Sequence, residues 1–294
     1  MSLKSQVRRW GPPTGVWRTG AVRLGSAAVP AARGNFGDQL APIVVSTIFG
    51  VQVKAASLAN CDLMAQGSLL EWLQEERNPL RPHVWGTGFI EDGGAWSGAP
   101  LRVHAVRGQL SRERLAAGRA AKVALGDPGI LLDLVYPDLL SIPKRYDVSV
   151  VPHFVDFDDA DLRAALRRHP QVHVVDVMAP ARQVAAEIAA SRLVLSSSLH
   201  GLIAAEAFGV PGHWMPISGR VTGGGYKYAD YYSAFGVEVA PLALDEGLAR
   251  ACAGRLRSEP LPRWQERRRE LLAAVPLRPT QATRRRWAGV TTSA

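Results

Sequence analysis

Ten consecutive residues bring together a helix start, hydroxyls and an imidazole: Arg192-Leu193-Val194-Leu195-Ser196-Ser197-Ser198-Leu199-His200-Gly201. They read as an apolar strand, a polar turn and the first turn of a helix, with Pro211 as the stop. Free N–H groups at a helix start favour phosphate or carboxylate oxygens, and serine hydroxyls add donors there. His200 stands at the same edge, placed for proton transfer. The bland alternative is a buried helix-start histidine behind capping serines, because one histidine near serines is not a triad.

A second segment, Gly34-Asn35-Phe36-Gly37-Asp38 followed by Gln39 to Phe49, looks like a glycine-rich turn entering a helix. Its glycines permit close approach of backbone to a ligand, and its helix start suits an anion or a sugar hydroxyl. Asp38 either caps the helix or meets a ligand, and one side chain can do both. Arg107 follows the apolar run Val103 to Val106, so its guanidinium is expected at a sheet edge, where bidentate recognition of carboxylate or phosphate is useful. His153 after Val150-Val151-Pro152 and Asp176 after Val174-Val175 are placed alike, and each alone is more often structural. Gly223-Gly224-Gly225 predicts a mobile loop running into Tyr226, Lys227, Tyr228, Asp230, Tyr231 and Tyr232. There tyrosines can stack on a sugar and Lys227 can meet an anion, although a plain surface loop is the ordinary reading. Gly86-Thr87-Gly88 has Glu91 where a dinucleotide fingerprint needs its third glycine, so NAD is discounted.

The elements that must position these residues alternate short β-branched runs with amphipathic stretches, the pattern of βαβ units and a parallel sheet. The first series of strands is Val51 to Val53, Asp62 to Ala65, His83 to Trp85, Val103 to Val106 and Lys122 to Leu125. The last four run directly into small or polar turns, including Gly126-Asp127-Pro128. Such turns share the carboxyl edge of a sheet, where open α/β sheets bind ligands. Tyr136 to Arg145, with Pro137 and Pro143, reads as a linker. A second series follows: strands Val148 to Val151, Val172 to Val177 and Leu193 to Leu195, with helices near Asp159 to Arg168, Ala181 to Ala190 and Leu199 to Phe208. Beyond Glu238 the chain reads as one or two helices. The expected fold class is α/β, with domains over residues 1–140 and 145–294.

The chain's 294 residues, 47% hydrophobic and 21% charged, suffice for two domains with real cores and exclude wholesale disorder. Lysine and arginine outnumber acids 35 to 26, and the resulting +9 favours phosphorylated metabolites, nucleic acid or an acidic membrane surface. The basic runs, Arg8-Arg9 beside Trp10, Arg267 to Arg269, and Arg284 to Arg286 beside Trp287, read as solvated helix faces or tails rather than a nucleic-acid patch. Cys61 and Cys252 form no CxxC, so neither a disulfide framework nor a cysteine zinc site is indicated, which fits a reducing cytosol. Gly11, Pro12, Pro13, Gly15 and Gly20 interrupt any signal-peptide core, and no apolar run is long enough to span a bilayer, so any membrane contact is expected to be peripheral.

These segments together, with Val84 to Gly88, Arg107-Gly108, Gly126-Asp127-Pro128, Pro152-His153-Phe154, Glu206 and Pro211, resemble the polysaccharide pyruvyl transferase family over most of residues 30 to 236. Ser197-Ser198-Leu199-His200-Gly201 is the specific part. The resemblance implies a GT-B-like pair of Rossmann-type domains facing a central cleft. It also implies transfer of the pyruvyl group of phosphoenolpyruvate to two sugar hydroxyls as a cyclic ketal, with release of phosphate and no metal or redox cofactor. On it, His200 is the acid/base, Arg107 holds the donor, Asp38 and Asn35 orient the acceptor, and His153 is a second proton carrier. Gly34, Gly37, Ser196, Ser197, Ser198, Leu199, Gly201 and Lys227 complete the substrate-binding set.

Many members carry an arginine where this chain has Ser198, so Lys227, Arg220 or Arg107 is expected to substitute. The implied acceptor is a surface polysaccharide or glycolipid, free or lipid-linked. A lipid-linked one would let the terminal Arg and Trp clusters hold a cytoplasmic enzyme to the inner membrane face. Competing readings are a GT-B glycosyltransferase using a nucleotide sugar and a non-catalytic carbohydrate-binding protein. A nucleic-acid binder, with steeply salt-dependent affinity, comes third.

Overall fold

The structure, a computed structural model, describes residues 21–25, 34–75, 81–98, 100–115, 123–274 and 276. The basic clusters at Arg8-Arg9 and Arg284 to Arg286 lie outside the described residues.

The described residues form two all-parallel sheets. In the first half, β1 (Ala21–Gly25), α1 (Phe36–Phe49), β2 (Gln52–Ala56), β3 (Leu63–Met64), α2 (Leu70–Glu75), β4 (His83–Trp85), β5 (Arg102–Val106), α3 (Gln109–Leu115), β6 (Ala124–Leu125) and α4 (Leu132–Val135) follow in sequence. Their strands order as β2-β1-β3-β4-β5-β6. The second half supplies β7 (Ser149–Val151), α5 (Ala160–Arg168), β8 (His173–Val174), α6 (Ala181–Ala189), β9 (Val194–Ser196), α7 (Leu199–Ala207) and β10 (Gly212–Trp214), ordered β10-β9-β7-β8. Three helices close the described chain: α8 (Tyr226–Ser233), α9 (Leu244–Cys252) and α10 (Trp264–Ala273).

Strands β4, β7 and β9 are buried at every residue, as parallel strands covered by helices on both faces must be. One large core runs from Val22, Trp85 and Leu131 into Val151, Ile188 and Ile203, so apolar packing is continuous between the halves. A smaller core of Val148, Val150, Leu162, Leu195 and Leu248 lies in the second half. Two strands escape the sequence pattern. The alternation of β1 sits in a stretch crowded by turn formers, and β10 opens directly after Pro211 with Gly212, residues that normally punctuate loops.

The expected loop after Gly225 is instead α8, with Lys227, Tyr228, Asp230, Tyr231 and Tyr232 buried. Asp230, Tyr228, Tyr231 and Tyr232 find partners, which is what lets a polar, aromatic run enter a core. Asp230 pairs with Arg107 at 2.9 Å, both side chains fully buried. Tyr228 donates to the Ser197 carbonyl at 2.6 Å, and Tyr231 and Tyr232 both donate to Glu206 on α7. The Arg267 to Arg269 run also differs from a solvated face. Arg267 is buried between Glu266 and Glu270, and Arg268 reaches Asp133 at 2.5 Å. Trp85 fixes α10 to the first sheet by donating from Nε1 to the Leu271 carbonyl at 3.0 Å.

Removing one partner of the Arg107–Asp230 pair leaves the other charge buried and uncompensated. Asp230→Ala is therefore expected to lower unfolding free energy by about 3–5 kcal/mol in urea denaturation. Burial also pushes the Glu206 carboxyl up to about 7, against the opposing Tyr231 and Tyr232 hydroxyls. A folded-state pKa above the unfolded value of about 4.3 means that the unfolded chain loses its proton first as pH rises. The stability owed to protonated Glu206 is thus complete at acid pH and lost as pH climbs to about 7. Glu206→Gln should flatten that decline in denaturation midpoints measured from pH 5 to 7.5.

Candidate active site

The starts of two helices from different halves meet. Asn35 caps α1, its Oδ1 accepting from Gly37 N at 3.0 Å and from Asp38 N at 3.4 Å, while its Nδ2 donates to Asp38 Oδ2 at 2.8 Å. This start is tied to the second half. Phe36 N donates to the Val177 carbonyl at 2.7 Å, and Gln39 Nε2 donates to the Ala179 carbonyl at 3.1 Å while its Oε1 accepts from Ala181 N at 2.9 Å. The Gly34 carbonyl accepts a further bond from Gln39 at 2.8 Å.

His200, on the first turn of α7, lies against Gly37. A Cβ at Gly37 would fall 2.3 Å from Nδ1 and 3.1 Å from Cε1, so only glycine admits the ring. The other nitrogen, Nε2, faces Asp127 Oδ2 at 3.7 Å, and both atoms are buried without a hydrogen-bond partner among the described residues. That separation exceeds a hydrogen bond and lies within ion-pair reach. Nε2 thus faces the Asp127 carboxylate while Nδ1 lies over Gly37. Asp38 is exposed on the first turn of α1. Loss of surrounding water raises its carboxyl pKa, while the nearby His200 charge and an Asn35 backbone bond pull it back. His200 thus stands 3.7 Å from the Asp127 carboxylate and is electrostatically coupled to Asp38.

In the sequence Asp127 appears only as part of the Gly126-Asp127-Pro128 turn, with no role of its own. Its Oδ1 caps the short 3-10 helix Pro128–Leu131 through Gly129 N at 2.8 Å, and that capping role fully accounts for an Asp-Pro turn read by itself. Its place at the carboxyl end of β6 was the available signal.

The serines divide. Ser196 Oγ is buried, donates to the Val151 carbonyl at 2.7 Å and accepts from Ser198 N at 3.0 Å. Ser197 Oγ is buried too, donating to Asp156 at 2.6 Å and accepting from His153 N at 2.9 Å. Both hydroxyls are therefore spent on bonds that shape the turn. Ser198, half-buried, is the N-cap of α7 and makes no side-chain cap bond. Leu199 is buried, and Gly201 is needed for close seating, since a Cβ there would meet Ser196 Oγ at 2.5 Å and Val151 Cγ1 at 2.7 Å.

His153 is held neutral, its pKa lowered to about 4 by burial, then by Lys227 and His200. Lys227 is buried beside it, and burial pushes its ammonium pKa down to about 8. Arg107 is not in this cluster's ligand-facing set. It donates from Nε to Asp230, from Nη1 to Ser68 Oγ at 2.7 Å and from Nη2 to the Phe89 carbonyl, with its side chain wholly buried. Asp176 Oδ1 accepts from Met178 N at 2.9 Å within its own turn. Among the described residues no cluster of three or more His, Cys, Asp or Glu could hold a metal ion, and no helix is long and apolar enough to cross a membrane.

Parallel sheets alternating with helices define an α/β protein, with His200 at the start of α7 following β9. Residues 35–219 match the family described as Polysaccharide pyruvyl transferase, and the chain belongs to that family. Among curated proteins it is 31% identical over 160 residues to Uncharacterized protein L143 of Acanthamoeba polyphaga mimivirus, covering 53% of this chain and 55% of that one. It is 30% identical over 140 residues to Succinoglycan biosynthesis protein ExoV of Rhizobium meliloti (strain 1021), covering 47% of this chain and 42% of the relative. The match thus spans about half the length of these relatives.

If Gly37 and Asp127 act through His200, Gly37→Ala and Asp127→Asn should each lower turnover by about 10-fold or more. Combined with His200→Ala, either should add almost nothing, a non-additivity that a double-mutant cycle of kcat reads directly. Asparagine keeps the oxygen that caps Gly129, so the melting temperature of Asp127→Asn should stay near that of the wild type.

Proposed function

We propose that this protein moves the pyruvyl group of phosphoenolpyruvate onto two hydroxyls of a sugar in a surface polysaccharide or glycolipid, forming a cyclic ketal and releasing phosphate. The observation that carries this reading is His200, held at the start of α7 between Gly37 and the Asp127 carboxylate, in a chain belonging to the polysaccharide pyruvyl transferase family. The relative named for succinoglycan biosynthesis supports a saccharide acceptor. The two parallel sheets support a GT-B-like pair of Rossmann-type units, with α8 and α10 crossing back to pack on the first.

In this mechanism the His200 imidazolium gives its proton to the methylene carbon of phosphoenolpyruvate. The C=C electron pair takes that proton, leaving a methyl group and an oxocarbenium-like centre. A sugar hydroxyl attacks this centre and its proton passes to a carboxylate, for which Asp38, exposed on the first turn of α1, is the candidate. The second hydroxyl then attacks the same carbon, the C–O bond to phosphate breaks, and the departing phosphate carries the second proton away. Asp127 stabilises the imidazolium and fixes its orientation, as a carboxylate behind a catalytic histidine does. The neutral His153 can orient a donor oxygen. The chemistry calls for no metal or redox cofactor, and its donor assigns it to the cytoplasmic side, with the acceptor free or lipid-linked.

The test is phosphate release from phosphoenolpyruvate in the presence of a sugar-acceptor panel, with wild type and His200→Ala. Acceptor-dependent release is expected, reduced about 10²–10⁴-fold in the variant. Thermal shifts with phosphoenolpyruvate, UDP and GDP accompany it. Stabilisation by a nucleotide and not by phosphoenolpyruvate would overturn this reading in favour of a nucleotide-sugar glycosyltransferase.

A further inference from the structure

We infer that Gln66 is a positioning residue for the pair formed by His200 and Asp127: its side-chain amide donates to the Asp127 carboxylate, directly or across one water, and holds that carboxylate behind the imidazole while the proton moves. This deepens the proposed function and rests on it for the reaction.

Gln66 lies just beyond β3, at the carboxyl edge of the first sheet, and only 3% of it is exposed. Its turn is held by the neighbouring one, since the Gly67 carbonyl accepts from Gly88 N and from Thr87 Oγ1, both at 3.0 Å. Yet neither Nε2 nor Oε1 of the Gln66 amide has a hydrogen-bond partner among the described residues. A buried amide in that condition has lost its bonds to water without replacement, and an apolar side chain of similar length would avoid the loss. Such a group calls for a reason other than stability.

The chain beyond β6 brings that reason close. Strands β3 and β6 are separated by β4 and β5, but Pro128 folds back over Gly86, where a Cβ would fall 2.2 Å from the Pro128 Cδ. The return carries Gly129 to the Gln66 amide. A Cβ on Gly129 would meet Asp127 Oδ1 at 3.1 Å and Gln66 Nε2 at 3.3 Å, so carboxylate and amide flank one point that glycine leaves clear. Ile203 of α7 is the apolar wall there, with its Cγ2 2.8 Å from the same point. On the other side of the carboxylate, Asp127 Oδ2 faces His200 Nε2 at 3.7 Å, and these two atoms are also buried without hydrogen-bond partners among the described residues. Three residues in succession thus hold polar atoms that have no other use.

Their bonding capacities match. Asp127 Oδ1 accepts from Gly129 N at 2.8 Å, but a carboxylate oxygen accepts more than one bond, and an amide nitrogen has two hydrogens to give. A donor on the side of Asp127 away from the ring compensates its charge in a water-poor place and keeps it from turning away from His200. The other titratable groups nearby are Tyr231 of α8, which is coupled to Asp127 and donates to Glu206 of α7, and Asp38 and His153, which are coupled to His200.

The experiment uses the full chain and the variants Gln66→Met, Gln66→Leu and Gln66→Glu, with kcat and KM read from acceptor-dependent phosphate release and stability from the melting temperature. Gln66→Met should lower kcat by about 10-fold, the worth of one charge-assisted hydrogen bond, and leave KM for phosphoenolpyruvate unchanged. Its melting temperature should equal or exceed that of the wild type, because an apolar chain replaces an unpaired amide. Combined with Asp127→Asn, it should add almost nothing to the loss of kcat. Gln66→Glu separates a donor from a side chain that merely fills space. Its carboxyl, buried beside Asp127, titrates above the ordinary range; protonated it donates as the amide does, and ionised it only accepts and repels Asp127. Activity relative to wild type at the same pH should therefore exceed that of Gln66→Met near about pH 5.5 and fall to that level or below by about pH 8. Taking the ratio removes the titration of Glu206 from the comparison.

A second readout needs no turnover. In protein carrying ¹⁵N-labelled glutamine, the Gln66 side-chain amide signal, identified by its loss in Gln66→Met or Gln66→Leu, should shift in Asp127→Asn. An unmoved signal, wild-type kcat in Gln66→Met, an additive loss with Asp127→Asn, a Gln66→Glu ratio that does not change with pH, or failure of both apolar variants to fold would each overturn the inference. An amide signal that answers to Asp127→Asn in protein that releases no phosphate with any acceptor would keep the contact and overturn the pyruvyl-transfer reading instead.

Discussion

The buried contact between Arg107 and Asp230 is the constraint on which the rest of the architecture turns. Two full charges in a core are unfavourable unless their hydrogen-bonding capacity is consumed, and here it is. Asp230 accepts from Arg107 Nε, from Ser111 N and from Ser111 Oγ, while the remaining Arg107 nitrogens reach Ser68 and Phe89. Gly108 completes the fit, since a Cβ there would fall 1.6 Å from the Asp230 carbonyl oxygen, inside the volume that α8 needs. The Arg-Gly pair after β5 is therefore a docking socket for a helix some 120 residues away, as the separation of 123 positions between Arg107 and Asp230 records. Once α8 is seated, Tyr228 fixes the Ser197 turn, and Tyr231 and Tyr232 fix the end of α7 through Glu206.

That seating matters because the site is assembled from segments with no local reason to meet. His200 and its turn belong to the second sheet, whereas Asp127 follows the last strand of the first. Gly37 belongs to α1, whose start is hydrogen-bonded to the β8–α6 connection at Val177 and Ala179. Each contact is modest alone. Together they place one imidazole against Gly37 and 3.7 Å from the Asp127 carboxylate. Relative motion of the sheets would change the 3.7 Å separation between His200 and Asp127 before it disturbed either residue's own element.

Much of this was legible from residue order, and the failures have physical causes. Strands β4, β5, β7 and β9, helices α5 to α7 and the start of α1 follow period and punctuation, so local chemistry suffices to find them, although the cap of α1 is Asn35 and not the expected Asp38. What period cannot reveal is which partner a polar residue meets. Arg107 at a sheet edge looks ligand-facing until Asp230 is placed on it, and the Tyr226 to Tyr232 run looks like a loop until its hydroxyls and carboxylate acquire partners. Asp127 hides behind its own cap bond to Gly129. Ser196 and Ser197 look like ligand donors and are instead spent on the Val151 carbonyl and Asp156. In each case the deciding contact spans a sequence distance or a second hydrogen bond that no local pattern encodes.

The same distinction between possessing a charge and having it free bears on the basic character of the chain. A surplus of +9 invites the idea of a broadly positive protein that collects anions by field alone. Yet Arg23, Arg114, Arg168, Arg182, Arg220 and Arg268 are each held by a carboxylate, and Arg107 is walled in with Asp230. Screening by salt would further blunt whatever field the exposed pairs retain. The total therefore overstates the charge that is free to meet an anion, because these guanidinium groups already have acidic partners.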